Sequence, residues 1–354
     1  MTGPVADPAA LIRSLVPPFA FAGLAFARPG AAACFHIATA PGLTATPDTL
    51  WRAASISKIV TGRTLRAACP AAETPAEELL GLPFRNPATG QPVTLAQIAT
   101  HTSGLSDAAG YLVPQGMSLA DWLAGQGAAI WAGTPPGAGW DYCNLGYLIL
   151  AACAEVASGR PFDALAQEAV IGPAGITAGF NWAGVAARHN HIATFRRDGT
   201  RLLPQIDAVV APQGISGPDG REVPRPPFTA GVHVAQFSPQ GGLRLSLHGA
   251  LTLAQGLTLL PDEPLWHNPA PATQDNPFAA QGWGLQVLAP GDHYPRQLVG
   301  HFANAYGMCG GVWHDRLTGG AFAYVLNGLP RADESDALRP EELAILATMA
   351  QALG

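Results

Sequence analysis

The strongest constraint on the fold is that strand-like segments lie at both ends of the 354-residue chain, while helical patterns dominate its middle. Two apolar runs of strand length flank the turn dipeptide Pro29-Gly30 and predict a β-hairpin over 19–38. Four more strand-like segments follow near the other end, at 283–288, 297–301, 308–314 and 320–327. We therefore expect both ends to build one antiparallel sheet and the middle to form an insert.

Helical patterns complete this assignment. Residues 7–15 and 340–353 predict helices beside the sheet, and 243–260 is also predicted to be helical. The clearest helix is 145–158, with Asn144 at the N-cap position and Gly159 after its end.

The predicted fold class is α/β of the α+β type, an antiparallel β-sheet flanked by helices with a mostly helical inserted domain. The predicted division is a sheet domain from 1–60 and 243–354. A helical insert over 61–242 would contain a Pro/Gly-rich connection at about 196–228.

Composition narrows the classes of partner. Charged residues make up 12% of the chain, the net charge is −6, and no Lys/Arg run exceeds two residues. This excludes a concentrated basic face for nucleic acid or an anionic membrane.

No apolar stretch approaches the ~18 residues of a membrane span, and the apolar segment 19–27 lacks the basic start of a signal peptide. Five scattered cysteines show no C-x-x-C spacing, which favours free thiols and a cytoplasmic location. Oligomeric state is left open.

Lys58 is the only lysine in the chain, which otherwise uses arginine for its cations. Arginine cannot lose its proton in a protein, whereas a buried lysine can act as a base. Ser55 lies three residues earlier, one turn away on the same face if a helix begins there. A serine becomes nucleophilic beside a base, and a desolvated lysine can be that base. A lysine Schiff base with an aldehyde cofactor is the alternative role for this amine.

Two further segments carry candidate chemistry. Tyr142 precedes the predicted helix by three residues and would be a proton shuttle if it lay near the lysine, whereas Asn144 could cap that helix and present an amide to substrate. The segment 300–307 lies between two predicted strands, where a backbone N–H at a strand edge could bind an oxyanion.

These segments, Ser55-x-x-Lys58, Tyr142-x-Asn144 and His301-x-Ala303, occur in an order that resembles the serine β-lactamase and penicillin-binding-protein superfamily, and within it the class C β-lactamase and esterase branch. That superfamily carries S-x-x-K, then Y-x-N, then K-T-G or H-x-G. The likeness spans roughly residues 19 to 330. Supporting segments lie at 49–55, 100–105, 237–244 and 282–284.

The resemblance implies a β-lactamase/transpeptidase-like fold and a role for each matching residue. Ser55 would be the acylated nucleophile, Lys58 the amine that activates it and Tyr142 the proton relay. Asn144 would hold Lys58 and the acyl side chain of the substrate, and His301 would stand where the third motif has its lysine or histidine. The backbone N–H groups of Ser55 and Asn304 would form the oxyanion hole.

One position departs from the superfamily pattern, because Ala303 stands where the third motif has glycine. In addition, an unperturbed histidine at position 301 is mostly neutral near pH 7. Both features favour an esterase, amidase or peptidase over hydrolysis of an anionic antibiotic. The predicted function is thus a serine hydrolase of small ester, amide, peptide or β-lactam substrates. The alternatives are a true class C-type β-lactamase and a slowly deacylating penicillin-binding sensor module.

Other candidates yield no further site. His101 is interpreted as a buried structural residue and Cys143 as a packing residue. His189 and His191 form an H-x-H pair, but no carboxylate or third histidine follows at a metal-ligand spacing, so no metal and no cofactor are predicted.

Overall fold

The computed structural model describes residues 7–69, 71–186, 188–210, 214–216, 221–225, 227–271, 273, 277–330 and 337–354. Its α-helices are α1 Pro8–Ser14, α2 Ser57–Ala68, α3 Ala76–Leu80, α4 Leu95–Ala99, α5 Leu119–Gln126, α6 Asn144–Ser158, α7 Phe162–Ala166, α8 Leu247–Gln255 and α9 Pro340–Ala352. Short 3₁₀ turns occur at Ala54–Ile56, Gly127–Ile130 and Val234–Phe237, and a π turn at Gln167–Ile171.

The strands are β1 Phe21–Ala27, β2 Cys34–Thr39, β3 Leu50–Arg52, β4 Ala178–Phe180, β5 Phe195–Asp198, β6 Arg201–Pro204, β7 Ile215–Ser216, β8 Glu222–Val223, β9 Leu243–Ser246, β10 Trp266–His267, β11 Phe278–Gln281, β12 Gln286–Leu288, β13 Leu298–Ala305, β14 Met308–Asp315, β15 Ala321–Asn327 and β16 Leu329–Pro330. Eight of them form an antiparallel sheet in the order β10-β11-β12-β13-β14-β15-β1-β2. The predicted hairpin and the predicted fold class are confirmed.

The central strands are buried on both faces, which explains why they are continuous apolar runs in the sequence. Every residue of β15 is buried. One face packs against α1 and α9 through side chains such as Ile12, Phe322 and Ile345. The other packs against the main core, which includes Ile59 of α2 and Leu148 of α6. This second face carries the candidate site.

The prediction of a single helix over 243–260 is wrong at both ends, because the helix covers only Leu247–Gln255. Residues Leu243–Ser246 form β9, which lies between β3 and β4 in a small sheet. The helix begins only after Ser246, whose hydroxyl accepts a hydrogen bond from the Gly249 N–H. The leucines at 243 and 245 alternate with polar side chains at strand period, and four residues are too few to distinguish this period from a helical one.

Two other segments also differ from their predictions. The strand expected at 283–288 begins only at Gln286, because Gly284 has a φ of +72° and packs its backbone on the first turn of α2. A Cβ at that position would lie 2.0 Å from the Lys58 carbonyl oxygen. The predicted connection at about 196–228 contains the hairpin β5–β6 and the pair β7–β8, and residues 211–213, 217–220 and 226 lie outside the described part. The division into two domains stays a prediction.

No helix within the described residues is long and apolar enough to cross a membrane. The five cysteines are unpaired.

Candidate active site

Ser55 and Lys58 lie at the junction between β3 and α2. The chain turns sharply after β3, with Ala54 at a φ of +45°, and Ser55 occupies the 3₁₀ turn that leads into α2. Lys58 is in the first turn of that helix, and its Nζ lies 3.1 Å from the Ser55 Oγ. The structure therefore brings together the serine and lysine whose spacing singled them out.

The Lys58 amine is fully buried and has three neighbours. Besides Ser55 Oγ, it contacts Asn144 Oδ1 at 2.7 Å and the Gln240 carbonyl oxygen at 3.0 Å. Burial lowers the pKa of Lys58 to about 7, and the negative charge of Asp107 opposes this shift. A neutral amine has two N–H donors and one lone pair. The Asn144 and Gln240 oxygens only accept hydrogen bonds, so they can take both N–H groups of the neutral amine. Its lone pair is then left to accept from the Ser55 hydroxyl.

Tyr142 approaches the same serine from another side. Its hydroxyl donates to Ser55 Oγ at 2.8 Å, and its ring centroid lies 4.8 Å from Lys58 Nζ. The ring of His101 packs against it with centroids 4.6 Å apart. His101 is buried, as predicted, and its Nδ1 accepts from the Cys143 N–H. Burial lowers the pKa of His101 well below its usual value, so this ring adds no positive charge.

Asn144 is not the cap that the sequence predicted. It is the first residue of α6, and Cys143 occupies the N-cap position without a side-chain cap bond. The carboxylate of Asp107 caps the helix instead, accepting the N–H groups of Asn144 at 2.8 Å and Leu145 at 3.0 Å. Asp107 also accepts from Asn144 Nδ2 at 2.8 Å, which turns the amide oxygen toward Lys58. The capping role falls to a residue from another segment because Asn144 is already committed to the lysine.

His301, Ala303 and Asn304 lie on β13, which passes beside the 3₁₀ turn of Ser55. His301 is buried, and burial together with the positive charge of Lys58 lowers its pKa to about 3. Its Nδ1 lies against the Phe302 carbonyl oxygen, which assigns the ring proton to Nδ1. The histidine is therefore neutral. Ala303 is buried opposite Gly310 of β14.

The edge of β13 next to Ser55 is open. Strand β12 pairs with β13 only over Leu298–Gly300. Beyond that point, the Phe302 N–H donates to Gln286 Oε1 and so points away from β14. Backbone groups alternate sides along a strand, so the Asn304 N–H also points away from β14.

A cavity of about 670 Å³ is lined by the predicted site residues other than Lys58. Ser55 and Tyr142 line it, and Trp140, Phe278 and Phe302 form an aromatic wall. Trp140 packs within 6.4 Å of Phe278 between ring centroids, and Phe278 within 6.1 Å of Phe302. Arg52 and Tyr306 also line the cavity, with the guanidinium 4.5 Å from the ring centroid.

Sequence reasoning missed Asp107 and Arg52. Asp107 follows the 100–105 segment by two residues and has no distinguishing spacing of its own. Arg52 lies in the 49–55 segment that supports the family resemblance, but only the sheet register reveals its surroundings. His191 contacts the carbonyl oxygens of Arg188 and Asp207 through its two ring nitrogens. No group of three His, Cys, Asp or Glu side chains suited to a metal occurs among the residues that the structure covers.

Comparison with known proteins gives this geometry its context. The family model described as Beta-lactamase matches residues 25–347. The chain belongs to this family. The predicted membership of the serine β-lactamase and penicillin-binding-protein superfamily is confirmed. No curated protein sequence matches the chain.

Solved structures share the fold at low identity. The D-amino acid amidase from Ochrobactrum anthropi SV3, complexed with L-phenylalanine, is 14% identical, with 97% of this chain and 96% of that chain covered and a TM-score of 0.72. A D-stereospecific amidohydrolase from Streptomyces sp. is 16% identical, with 96% and 98% covered and a TM-score of 0.63. The octameric penicillin-binding protein homologue from Pyrococcus abyssi is 18% identical, with 97% and 77% covered and a TM-score of 0.67.

Proposed function

We propose that this member of the Beta-lactamase family is a serine hydrolase that cleaves small amides or esters through an acyl-enzyme on Ser55. The observation that carries the proposal is the contact between the Ser55 hydroxyl and the buried amine of Lys58, whose pKa of about 7 lets it be neutral at working pH. A general base acts best when its pKa lies near the operating pH.

In acylation, neutral Lys58 takes the proton of the Ser55 hydroxyl while Ser55 Oγ attacks the substrate carbonyl carbon. The oxyanion is held by the backbone N–H groups of Ser55 and Asn304. Removing one such donor typically costs about 3–4 kcal/mol of transition-state stabilisation. Tyr142 passes a proton to the departing amine or alcohol as its bond to the carbonyl carbon breaks, and the Lys58 ammonium then returns the serine proton to Tyr142, so that the amine is neutral again. Water then attacks the ester in the same way and releases the acid.

Asn144 fixes the amine rather than taking part in proton transfer. Its amide oxygen accepts from Lys58, and its amide nitrogen is bound to Asp107, so the side chain cannot rotate without breaking one of these bonds. This arrangement holds the lysine lone pair on Ser55 Oγ.

The pocket favours an amidase or esterase over a class C-type β-lactamase that uses the third motif to bind an anion. His301 is neutral, and Ala303 places a methyl group where the superfamily has glycine. The aromatic wall of Trp140, Phe278 and Phe302 suits an apolar or aromatic acyl group. The similar solved structures are described as a D-amino acid amidase and a D-stereospecific amidohydrolase, which is consistent with an amide substrate. Family membership also favours acyl transfer over the Schiff-base role of Lys58.

The test is hydrolysis of p-nitrophenyl butyrate by wild type, Ser55→Ala and Ser57→Ala, with a chromogenic cephalosporin in parallel. Ser57 is a matched control because its hydroxyl accepts from the Leu243 N–H at 3.0 Å and is buried away from the cavity. We expect ester turnover that disappears in Ser55→Ala and persists in Ser57→Ala. Turnover that survives in Ser55→Ala would refute the proposal. Fast cephalosporin cleavage would instead identify a β-lactamase, and acylation without turnover a sensor.

A further inference from the structure

Arg52 presents an unpaired guanidinium to the cavity. The side chain is 8% exposed, and its Nε has no hydrogen-bond partner. Within the described part of the chain the structure gives the guanidinium no carboxylate partner and no hydrogen-bond acceptor. The guanidinium lies against the face of the Tyr306 ring, which satisfies none of its donors. A buried guanidinium without an anion is costly, so its presence calls for a partner that comes from outside the chain.

The neighbouring charges do not neutralise Arg52. In the small sheet, Arg52 of β3 pairs directly with Arg244 of β9, so the two side chains lie on the same face. Asp207 is the carboxylate beside them, and Arg244 already holds both of its oxygens, at 2.9 and 2.7 Å. The cluster of Arg52, Arg244 and Asp207 therefore contains two cations and one anion. Its surplus positive charge is that of Arg52, because Asp207 is bound to Arg244.

This surplus charge lies beside the nucleophile. A Cβ built on Gly241 would be 3.5 Å from Arg52 Nη2 and 3.9 Å from the Ala54 carbonyl oxygen. Gly241, Ala54 and Ser55 all line the same cavity. The guanidinium therefore faces cavity space left open by a glycine, next to the residue that precedes Ser55.

Tyr306 holds the guanidinium in this position. Tyr306 and Gly307 form the two-residue turn between β13 and β14, both with positive φ, and the Gly307 carbonyl oxygen accepts from the N–H groups of Gly328 and Leu329. Tyr111 also lines this part of the cavity, and burial raises the pKa of its phenol, so it supplies no negative charge.

We propose that Arg52 forms an anion subsite that binds a carboxylate group of the substrate, which makes the pocket selective for substrates with a free carboxylate. The subsite supplies the positive charge that neutral His301 does not. This inference rests on the proposed function for its role in turnover, whereas binding of the anion does not require turnover. A guanidinium matches the planar carboxylate with two parallel hydrogen bonds, which lysine cannot form.

The test compares binding of N-acetylglycine with that of N-acetylglycinamide, an uncharged isostere, to wild type, Arg52→Gln, Arg52→Lys and Arg316→Gln. Arg316 is an exposed arginine outside the cavity lining and serves as the matched control. Ligand-detected NMR gives both dissociation constants. We expect wild type to prefer the acid, and Arg52→Gln to reduce that preference by roughly tenfold or more. Arg52→Lys should restore part of it, and Arg316→Gln should keep it.

Thermal melting of the same variants checks the premise. Because Arg52 has no partner, its neutral replacement should melt at the wild-type temperature or above. Equal binding of acid and amide by wild type, an unchanged preference in Arg52→Gln, or severe destabilisation of Arg52→Gln would each overturn the subsite.

Turnover of p-nitrophenyl butyrate, measured on the same variants, distinguishes failure of the anion subsite from failure of the proposed function. Selective binding of the acid without ester turnover would support the subsite and refute the proposed hydrolase activity. Ser55-dependent turnover without a preference for the acid would support the hydrolase activity and refute the subsite.

Discussion

Replacing Asp107 by asparagine should move the acid limb of the hydrolysis pH profile to lower pH. Asp107 contacts Lys58 only through Asn144, whose amide lies 2.8 Å from the carboxylate and 2.7 Å from the amine. The charge of Asp107 stabilises the lysine ammonium and so raises its pKa against the larger lowering by burial. Without that charge the amine loses its proton more readily, and a larger fraction is neutral at low pH.

The geometry gives the size of this effect. Two hydrogen bonds and one amide group place the charges about 7 Å apart, and at an effective dielectric constant of about 20 their attraction is about 2.4 kcal/mol. That energy corresponds to a displacement of the limb by roughly one to two pH units. In wild type, kcat/KM should fall about tenfold for each pH unit below about 7, because the protonated amine cannot accept the serine proton.

The assay is kcat/KM for p-nitrophenyl butyrate between pH 4.5 and 9 for wild type, Asp107→Asn and Asp141→Asn. Asp141 is a matched control because its exposed carboxylate also lines the cavity but is not among the charges that shift Lys58. We expect the limb to move only in Asp107→Asn. A limb that stays in place, or that moves to higher pH, would refute the coupling between Asp107 and Lys58.

Two further variants test the site and its support. Lys58→Arg should lower kcat/KM by roughly 10²–10⁴-fold, because arginine keeps its proton and cannot act as the base; near-wild-type rates in a steady-state ester assay would exclude that role. Arg244→Met should lower the free energy of unfolding by about 3–5 kcal/mol, because it removes the guanidinium that holds both oxygens of the buried Asp207 carboxylate. Urea denaturation measures this loss, and a stability equal to that of Arg52→Gln would contradict the assigned pairing.

The sequence was sufficient to single out Ser55 and Lys58 as candidate catalytic residues. A lysine used once in a chain whose other basic residues are arginines, three residues after a serine, limits the possible roles, and helical spacing alone brings the two side chains together. The central strands were also predictable, because strands buried on both faces are continuous apolar runs.

The remainder of the site depends on contacts between distant segments. Asp107 reaches the start of α6 across 37 positions of sequence, and no local pattern marks an acid as the cap of a remote helix. The surplus charge at Arg52 follows from its pairing with β9, which in turn was predicted to be helical. The neutral state of His301 results from its burial beside Lys58, which only the packed structure supplies.

The central claim is that Ser55 becomes acylated, and intact-protein mass spectrometry tests it directly. The protein is mixed with p-nitrophenyl butyrate and quenched in acid within milliseconds to seconds, and its intact mass is measured. Trypsin then cleaves after Arg52 and Lys58, and this releases the peptide 53–58 with both Ser55 and Ser57. We predict one butyryl group on this peptide, located on Ser55 by fragmentation and absent from Ser55→Ala. A butyryl group on another residue, or one that persists in Ser55→Ala, would contradict the account.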